Sequence, residues 1–405
     1  MARLPRAGSY FGDEREILIG PGSLDRLPDR LRELGVRRAY LVASSSATRS
    51  EAGTRITTAL APLIAGSFET VARHSPIEQI REMLAAAQSC KADGVIAIGG
   101  GSSIDAAKAV TLLLRGTPVV PASSRPELHP LPPGSARPEA PLILVPTTLS
   151  GAEMTPWGVF LDGEEKIGFP PDPSTSSAAG LVVLDPVLFA GVSRQLLVTT
   201  GMNALAHCIE GAYSRDGNAI SAAMAVEGGR LLVESMLALT DETPHEESVL
   251  MPLLTGAALG GLVLRTAQVC VHHGLCHSLG SICGLPHGVS NAVLLPYSAR
   301  FNEEDSATVQ QRFAQALGPA LEVVGADGSG GLPRVLAALQ RAAGAPASLR
   351  EAGVRHEDLS AVAEQAMASP TLGRNPRAVH GPGELIGILE AAFAGELRAG
   401  TGKDG

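Results

Sequence analysis

The sequence has no Lys/Arg-rich run and a net charge of −9. That balance argues against nucleic acid as a partner. No stretch of about 18 consecutive apolar residues is present, so no membrane span is expected. Met1–Tyr10 carries charges but no apolar core, so no secretory signal is read there. The five cysteines, Cys90, Cys208, Cys270, Cys276 and Cys283, are odd in number and form no CxxC pair. They read as reduced thiols in a cytoplasmic protein, not as a disulfide framework. Aromatic residues are scarce, at 3% against 45% hydrophobic. With Ala and Gly abundant, this composition fits a soluble, well-packed α/β protein, and 405 residues suggest two or three domains. No internal repeat is visible.

What is there divides near residue 190. Before it, short apolar runs alternate with helical ones. Ala39–Ala43, the weaker Gly66–Val71, Gly94–Ile98, Leu142–Val145 and Leu181–Leu184 read as strands. The unbroken apolar character of Gly94–Ile98 is that of a buried parallel strand. Ile77–Ser89 is amphipathic, and a helix is expected from Ile104 to about Leu114. Gly116–Ala140, rich in Pro, Ser and Gly, reads as an exposed loop. From about 194 to 396 the pattern is helical, with breaks near Pro244, Pro286, Gly325–Gly331 and Pro370–Pro376. The fold class expected is therefore α/β: a doubly wound dinucleotide-binding domain over 1–190 and an all-α domain over 191–405.

Two stretches carry chemistry. The first is Gly99-Gly100-Gly101-Ser102-Ser103 between a buried strand and a helix. Glycines let a backbone approach a phosphate, and a helix N-terminus supplies N–H groups and a favourable dipole. Ser102 or Ser103 could cap that helix or bond a phosphate oxygen. The motif is not GxGxxG, and a tight turn alone would also account for it. Thr147 and Thr148, at the end of another strand, add hydroxyls at the carboxyl edge of a parallel sheet, where ligands bind.

The second stretch is Val271–Pro296, which holds His273, His277 and His287 in a mostly apolar segment. His273 and His277 share a helical face, as do Asn203 and His207 further upstream. Imidazoles among Leu, Ile and Cys need partners. The cluster is a candidate metal site of Fe or Zn type, or a set of proton-transfer groups acting without metal. Asn203, where a carboxylate would strengthen a divalent site, is a neutral and weaker ligand.

The ordered motifs GGGSSIDAAK, VPTTLSGAEMTP, TTGMNALAHCIEGAYS, HHGLCHSLGSICGLPHGVSNAVLLP and GRNPRAV, with the opening ILIGPGSLDRL, resemble the iron-containing alcohol dehydrogenase superfamily over essentially the whole chain. GAEMTP, GMNALAH and HHGLCH most resemble its maleylacetate reductase branch. The resemblance implies a dehydroquinate-synthase-like two-domain fold, NAD(P)H as cofactor, a small carbonyl, enone or alcohol substrate, and a homodimer. By position, Gly100, Gly101, Ser102 and Ser103 would contact the cofactor pyrophosphate. Thr147, Thr148 and Thr155 would line the dinucleotide or nicotinamide site. Lys166 matches a cofactor-contacting lysine, or is a solvated hairpin charge. Ser44 stands where NAD-selective members carry Asp, so a 2′-phosphate meets no repulsion there.

The family's metal ligands, Asp and three His, fall on Asn203, His207, His273 and His287. The reductase branch is alike in its Asn and is regarded as metal-free, whereas PHGVSNAVLLP is closer to the metal-dependent alcohol dehydrogenases. The expectation is hydride transfer with His277 as proton donor or relay. His207, His273, His287 and Asn203 would hold the substrate oxygen directly, as neutral or protonated donors, or through Fe2+ or Zn2+. For a carboxylate substrate, Arg265 is the nearest cation in sequence, or is simply structural. Trp157 either shapes the pocket or packs the hairpin. A lyase of the dehydroquinate synthase kind would need a lysine-rich phosphate pocket that the His segment lacks. A non-catalytic nucleotide binder would not need the four histidines.

Overall fold

The computed structural model describes residues 15–117, 119, 140–163, 165–170 and 177–397. Most of the Pro-rich Gly116–Ala140 segment lies outside the described residues. The described chain forms two compact units. One comprises the residues through Val192 together with Thr243–Met251; the other comprises Ser193–Glu242 and the chain from Pro252 on.

The first unit is built on β1 (Glu16–Ile19), β2 (Ala39–Ala43), β3 (Ile64–Phe68), β4 (Gly94–Gly99), β5 (Leu142–Pro146) and β8 (Leu181–Leu184). These form one six-stranded sheet in the order β1-β8-β5-β4-β2-β3, with every pairing parallel. β2, β4, β5 and β8 are buried along their whole length, as expected of strands covered on both faces. The helices are α1 (Leu27–Glu33), α2 (Ser45–Arg49), α3 (Glu51–Leu60), α4 (Ile77–Ser89) and α5 (Gly101–Leu114). A separate antiparallel hairpin joins β6 (Gly158–Asp162) to β7 (Glu165–Phe169). Two details differ from the sequence expectation. β3 starts two residues and ends three residues earlier than expected, and β1, only four residues long, carries no clean alternation to mark it.

α5 also begins earlier, at Gly101, with Gly100 as N-cap and no capping side chain. Neither serine caps it. The Ser102 hydroxyl instead accepts the His74 N–H at 2.9 Å, and Ser103 is buried. The same helix carries Lys108, fully buried. Its ammonium donates to the Ala152 and Trp157 carbonyls, each at 2.6 Å, and to Thr155 Oγ1 at 3.0 Å. Asp105, one turn earlier, lies 3.7 Å from that ammonium and accepts the Val159 N–H at 3.2 Å. Burial pulls Lys108 down to about 8 and pushes Asp105 up to about 6. The pair thus pins the chain between β5 and β6 onto α5. Lys108→Met should cost about 3–5 kcal/mol, the scale for removing one partner from a buried ionic network, read as a lower urea midpoint. An unchanged midpoint would mean the 152–157 turn holds itself.

The second unit is helical: α6 (Arg194–Tyr213), α7 (Ala219–Ala238), α8 (Glu247–Ala267) from Pro252 on, α9 (Val271–Cys283), α10 (His287–Phe301), α11 (Ala307–Val323), α12 (Leu332–Ala342), α13 (Leu359–Met367) and α14 (Pro382–Ala394). α8 is long and apolar enough to cross a bilayer by length and composition, although no continuous apolar run announces it. Half of its most apolar window is buried within the protein. Its glycines explain how. A Cβ on Gly260 would sit 2.8 Å from the Ala204 carbonyl of α6, and one on Gly256 would sit 2.8 Å from the Gly228 carbonyl of α7. Only glycine allows backbones this close.

Candidate active site

At the carboxyl edge of the sheet, three strand ends meet. The Ser44 N–H donates to the Ile98 carbonyl at 3.3 Å and the Thr147 N–H to the Gly99 carbonyl at 2.9 Å. These bonds draw the ends of β2 and β5 to the end of β4. Gly99 has φ +154°, and a Cβ there would lie 2.6 Å from Ser103 Oγ and 3.2 Å from Ser44 Oγ. A Cβ on Gly100 would lie 3.1 Å from Thr148. The loop is therefore a cradle that side chains would fill, opening onto the uncapped N-terminus of a 14-residue helix. Ser44, Gly100, Gly101, Ser102, Ser103, Thr147 and Thr148 are brought together there. The donor set fits a dinucleotide pyrophosphate.

Lys166, on β7, approaches the same region through His74. The imidazole of His74 is held below its ordinary value by burial first, then by Lys166 and Arg73. Arg73 and His74 gave no signal in the sequence. His74 and Ser75, which turn with positive φ of 63° and 50°, both bond Ser102. Thr155 is buried, with its hydroxyl engaged by Lys108 and the Ala152 and Trp157 carbonyls. The Trp157 carbonyl, too, is taken by Lys108.

The histidines occupy the second unit. α6 starts at Ser193, whose hydroxyl accepts the Leu196 N–H, and runs unbroken to Tyr213. Asn203, His207 and Glu210 thus fall on one face at i, i+4 and i+7. α9 follows a turn at Gln268, φ +53°, and ends at Gly284 in the left-handed region. His287 is the first residue of α10, behind Pro286. These stops bring four imidazoles together. Ring centroids lie 4.9 Å apart for His207 and His273, 5.6 Å for His273 and His287, 5.5 Å for His277 and His287, and 6.0 Å for His273 and His277. His207 and His273 are buried, and His277 is exposed.

His273 is held at both ring nitrogens. Nδ1 is 2.5 Å from Glu210 Oε2, and Nε2 is 3.2 Å from Asn203 Oδ1. The other oxygen of Glu210 accepts the His272 N–H at 2.9 Å. His272 is buried behind, its Nε2 2.8 Å from Asn291 Oδ1, and Asn291 Nδ2 donates to the His287 carbonyl at 2.8 Å. Burial pushes Glu210 up to about 8, and drops His207 to about 3, His272 to about 4 and His273 well below its ordinary value. Burial thus favours the neutral form of all three imidazoles. A protonated Glu210 donates to His273 Nδ1, and His273 Nε2–H donates to Asn203 Oδ1.

That pattern is a poor fit for a divalent cation. His273 Nε2 spends its position on Asn203, and the one carboxyl in the network, Glu210, lies on the far nitrogen of that ring. Among the described residues, no three His, Cys, Asp or Glu side chains are arranged to hold a metal ion. Sequence reasoning missed Glu210, His272 and Asn291. The spacing 203/207/210 was the available signal for Glu210.

Comparison with known proteins agrees with this architecture. Residues 14–186 match the model of the iron-containing alcohol dehydrogenases, and residues 197–393 that of the C-terminal region of the Fe-containing alcohol dehydrogenase family. The maleylacetate reductase of Rhizobium sp. strain MTP-10005 is 34% identical over 95% of this chain and 97% of its own. Its crystal structure superposes with a TM-score of 0.80, at 31% identity, over 96% of this chain and 99% of that one. Maleylacetate reductase from Agrobacterium tumefaciens gives 0.79 at 30% identity, over 96% and 99%. The chain belongs to the iron-containing alcohol dehydrogenase family and is an NAD(P)-dependent oxidoreductase.

Proposed function

We propose that this protein reduces a small enone or carbonyl substrate of the maleylacetate type with NAD(P)H, and that it does so without a metal ion. The observation that carries the reading is the ring of four imidazoles closed by Asn203, with His273 already bonded at both nitrogens. Bound at the glycine cradle, NAD(P)H would supply the hydride. The chain's own residues have the remaining work. His207, His273, His287 and the Asn203 amide offer hydrogen bonds to the substrate oxygen on which negative charge develops, the His273 Nε2–H exchanging its bond to Asn203 Oδ1 for one to that oxygen. Exposed His277, stacked on His287, delivers the proton that balances the hydride and recovers it from water. For an enone, hydride goes to the carbon β to the carbonyl and the proton to the resulting enolate.

In the family's metal-dependent members the metal would polarise that oxygen. The PHGVSNAVLLP segment favours this second reading, an Fe2+- or Zn2+-dependent alcohol dehydrogenase. One experiment separates the two: metal analysis of the purified protein, paired with NAD(P)H oxidation on maleylacetate and on an aldehyde panel, before and after chelator. Turnover of maleylacetate that is metal-free and indifferent to chelator is the expected result. Stoichiometric Fe or Zn with chelator-sensitive aldehyde turnover would replace the proposal with the second reading.

A further inference from the structure

The chemistry placed on His273 requires one ring orientation, and a histidine side chain does not choose it alone. An imidazole has two tautomers and two flipped poses, so its reactive nitrogen is defined by whatever binds the other one. Here that partner is Glu210. It is fully buried, and it spans two elements from one side chain. Oε2 takes the His273 ring at 2.5 Å, while Oε1 accepts the His272 N–H at 2.9 Å. The second bond matters independently. α9 has Cys270 as N-cap with no capping side chain of its own, so its first turn is capped from α6 by Glu210. The carboxyl sits where a helix N-terminus favours an acceptor. Because Glu210 shares its helical face with Asn203 and His207, one rigid helix sets both the group behind the His273 ring and the group in front of it.

We propose that Glu210 is the positioning residue of this site, fixing the pose and tautomer of His273 so that Nε2 alone faces Asn203. This rests on the proposed role of His273 in binding the substrate oxygen. Glu210 touches no reacting atom in this scheme and acts only through His273.

The test is a pair of variants, Glu210→Ala and Glu210→Gln, with three readouts. The first is the ring-nitrogen NMR signals of His273 in protein labelled at histidine, assigned by their loss in His273→Asn. The others are kcat and the KM for NADPH. In the wild type one tautomer is expected. In Glu210→Ala the His273 signals should average between tautomers and kcat should fall about ten- to a hundredfold, the scale for losing the carboxylate behind a working imidazole. The KM for NADPH should hold, since no cofactor contact is lost. Glu210→Gln can still bond both His273 and the His272 N–H, so it should restore one tautomer and most of kcat. Wild-type kcat in Glu210→Ala would overturn the proposal. So would a Gln variant as impaired as the Ala variant while its His273 signals match the wild type. If the wild-type protein reduces nothing in the substrate panel, the functional reading fails, and the nitrogen signals still decide whether Glu210 sets the His273 ring.

Discussion

His277→Phe should lower kcat by about 10²- to 10⁴-fold, the usual contribution of a positioned general acid–base group. The expectation follows from exposure as well as proximity. His207 and His273 are buried and held neutral, so neither can readily take a proton from water and hand it on. His277 is exposed, more so than half-buried His287, and lies 5.5 Å from His287 and 6.0 Å from His273 between ring centroids. Phenylalanine keeps a flat ring against His287 but carries no proton. Since the position is exposed, thermal unfolding should move little, which separates lost chemistry from lost structure. Steady-state kinetics on maleylacetate, with kcat and KM resolved, is the measurement. A kcat close to wild type would remove His277 from the relay.

Asn203→Asp should convert the site into one that holds a divalent cation. The substitution changes one atom, and the new carboxylate would face the His273 ring at the place of Asn203 Oδ1. Position 203 is buried, and burying a carboxylate is costly, so holding a proton or recruiting a cation there lowers that cost. Asp with three imidazoles is a donor set that suits Zn2+ or Fe2+. The His273 Nε2–H that now donates to the amide oxygen would have to give up its proton. Zinc titration followed by metal analysis should rise from sub-stoichiometric in the wild type to about one ion per chain in the variant. Metal-free turnover of the enone should drop in parallel, because the amide's N–H donors are gone. Equal metal content in both proteins would show that Asn203 does not decide occupancy.

Much of the first unit was legible because local pattern and tertiary environment agree there. Ile77–Ser89 is helical over the residues its amphipathic pattern marks, and the unbroken apolar runs at 39–43, 94–98, 142–145 and 181–184 became the central strands. Agreement failed where a partner distant in sequence outbid a local preference. Ser102 had the right chemistry to cap α5, but the His74 N–H claims its hydroxyl. The Thr155 hydroxyl likewise takes the ammonium of Lys108, 47 residues away, a partner that no local pattern marks.

The histidine site divides along the same line. Sequence alone determined its inventory: His207, His273, His277 and His287, an Asn where the family has Asp, and the helical spacings that put Asn203 with His207 and His273 with His277. Spacing of 3.6 residues per turn is a local property, so it can be counted along the chain. Tertiary structure alone decided that α6 and α9 meet with Glu210 beside His272 and His273. It also decided that His207 and His273 are sealed and neutral while His277 is not. Burial and desolvation depend on what other elements bring to a residue, and no stretch of sequence contains that information by itself.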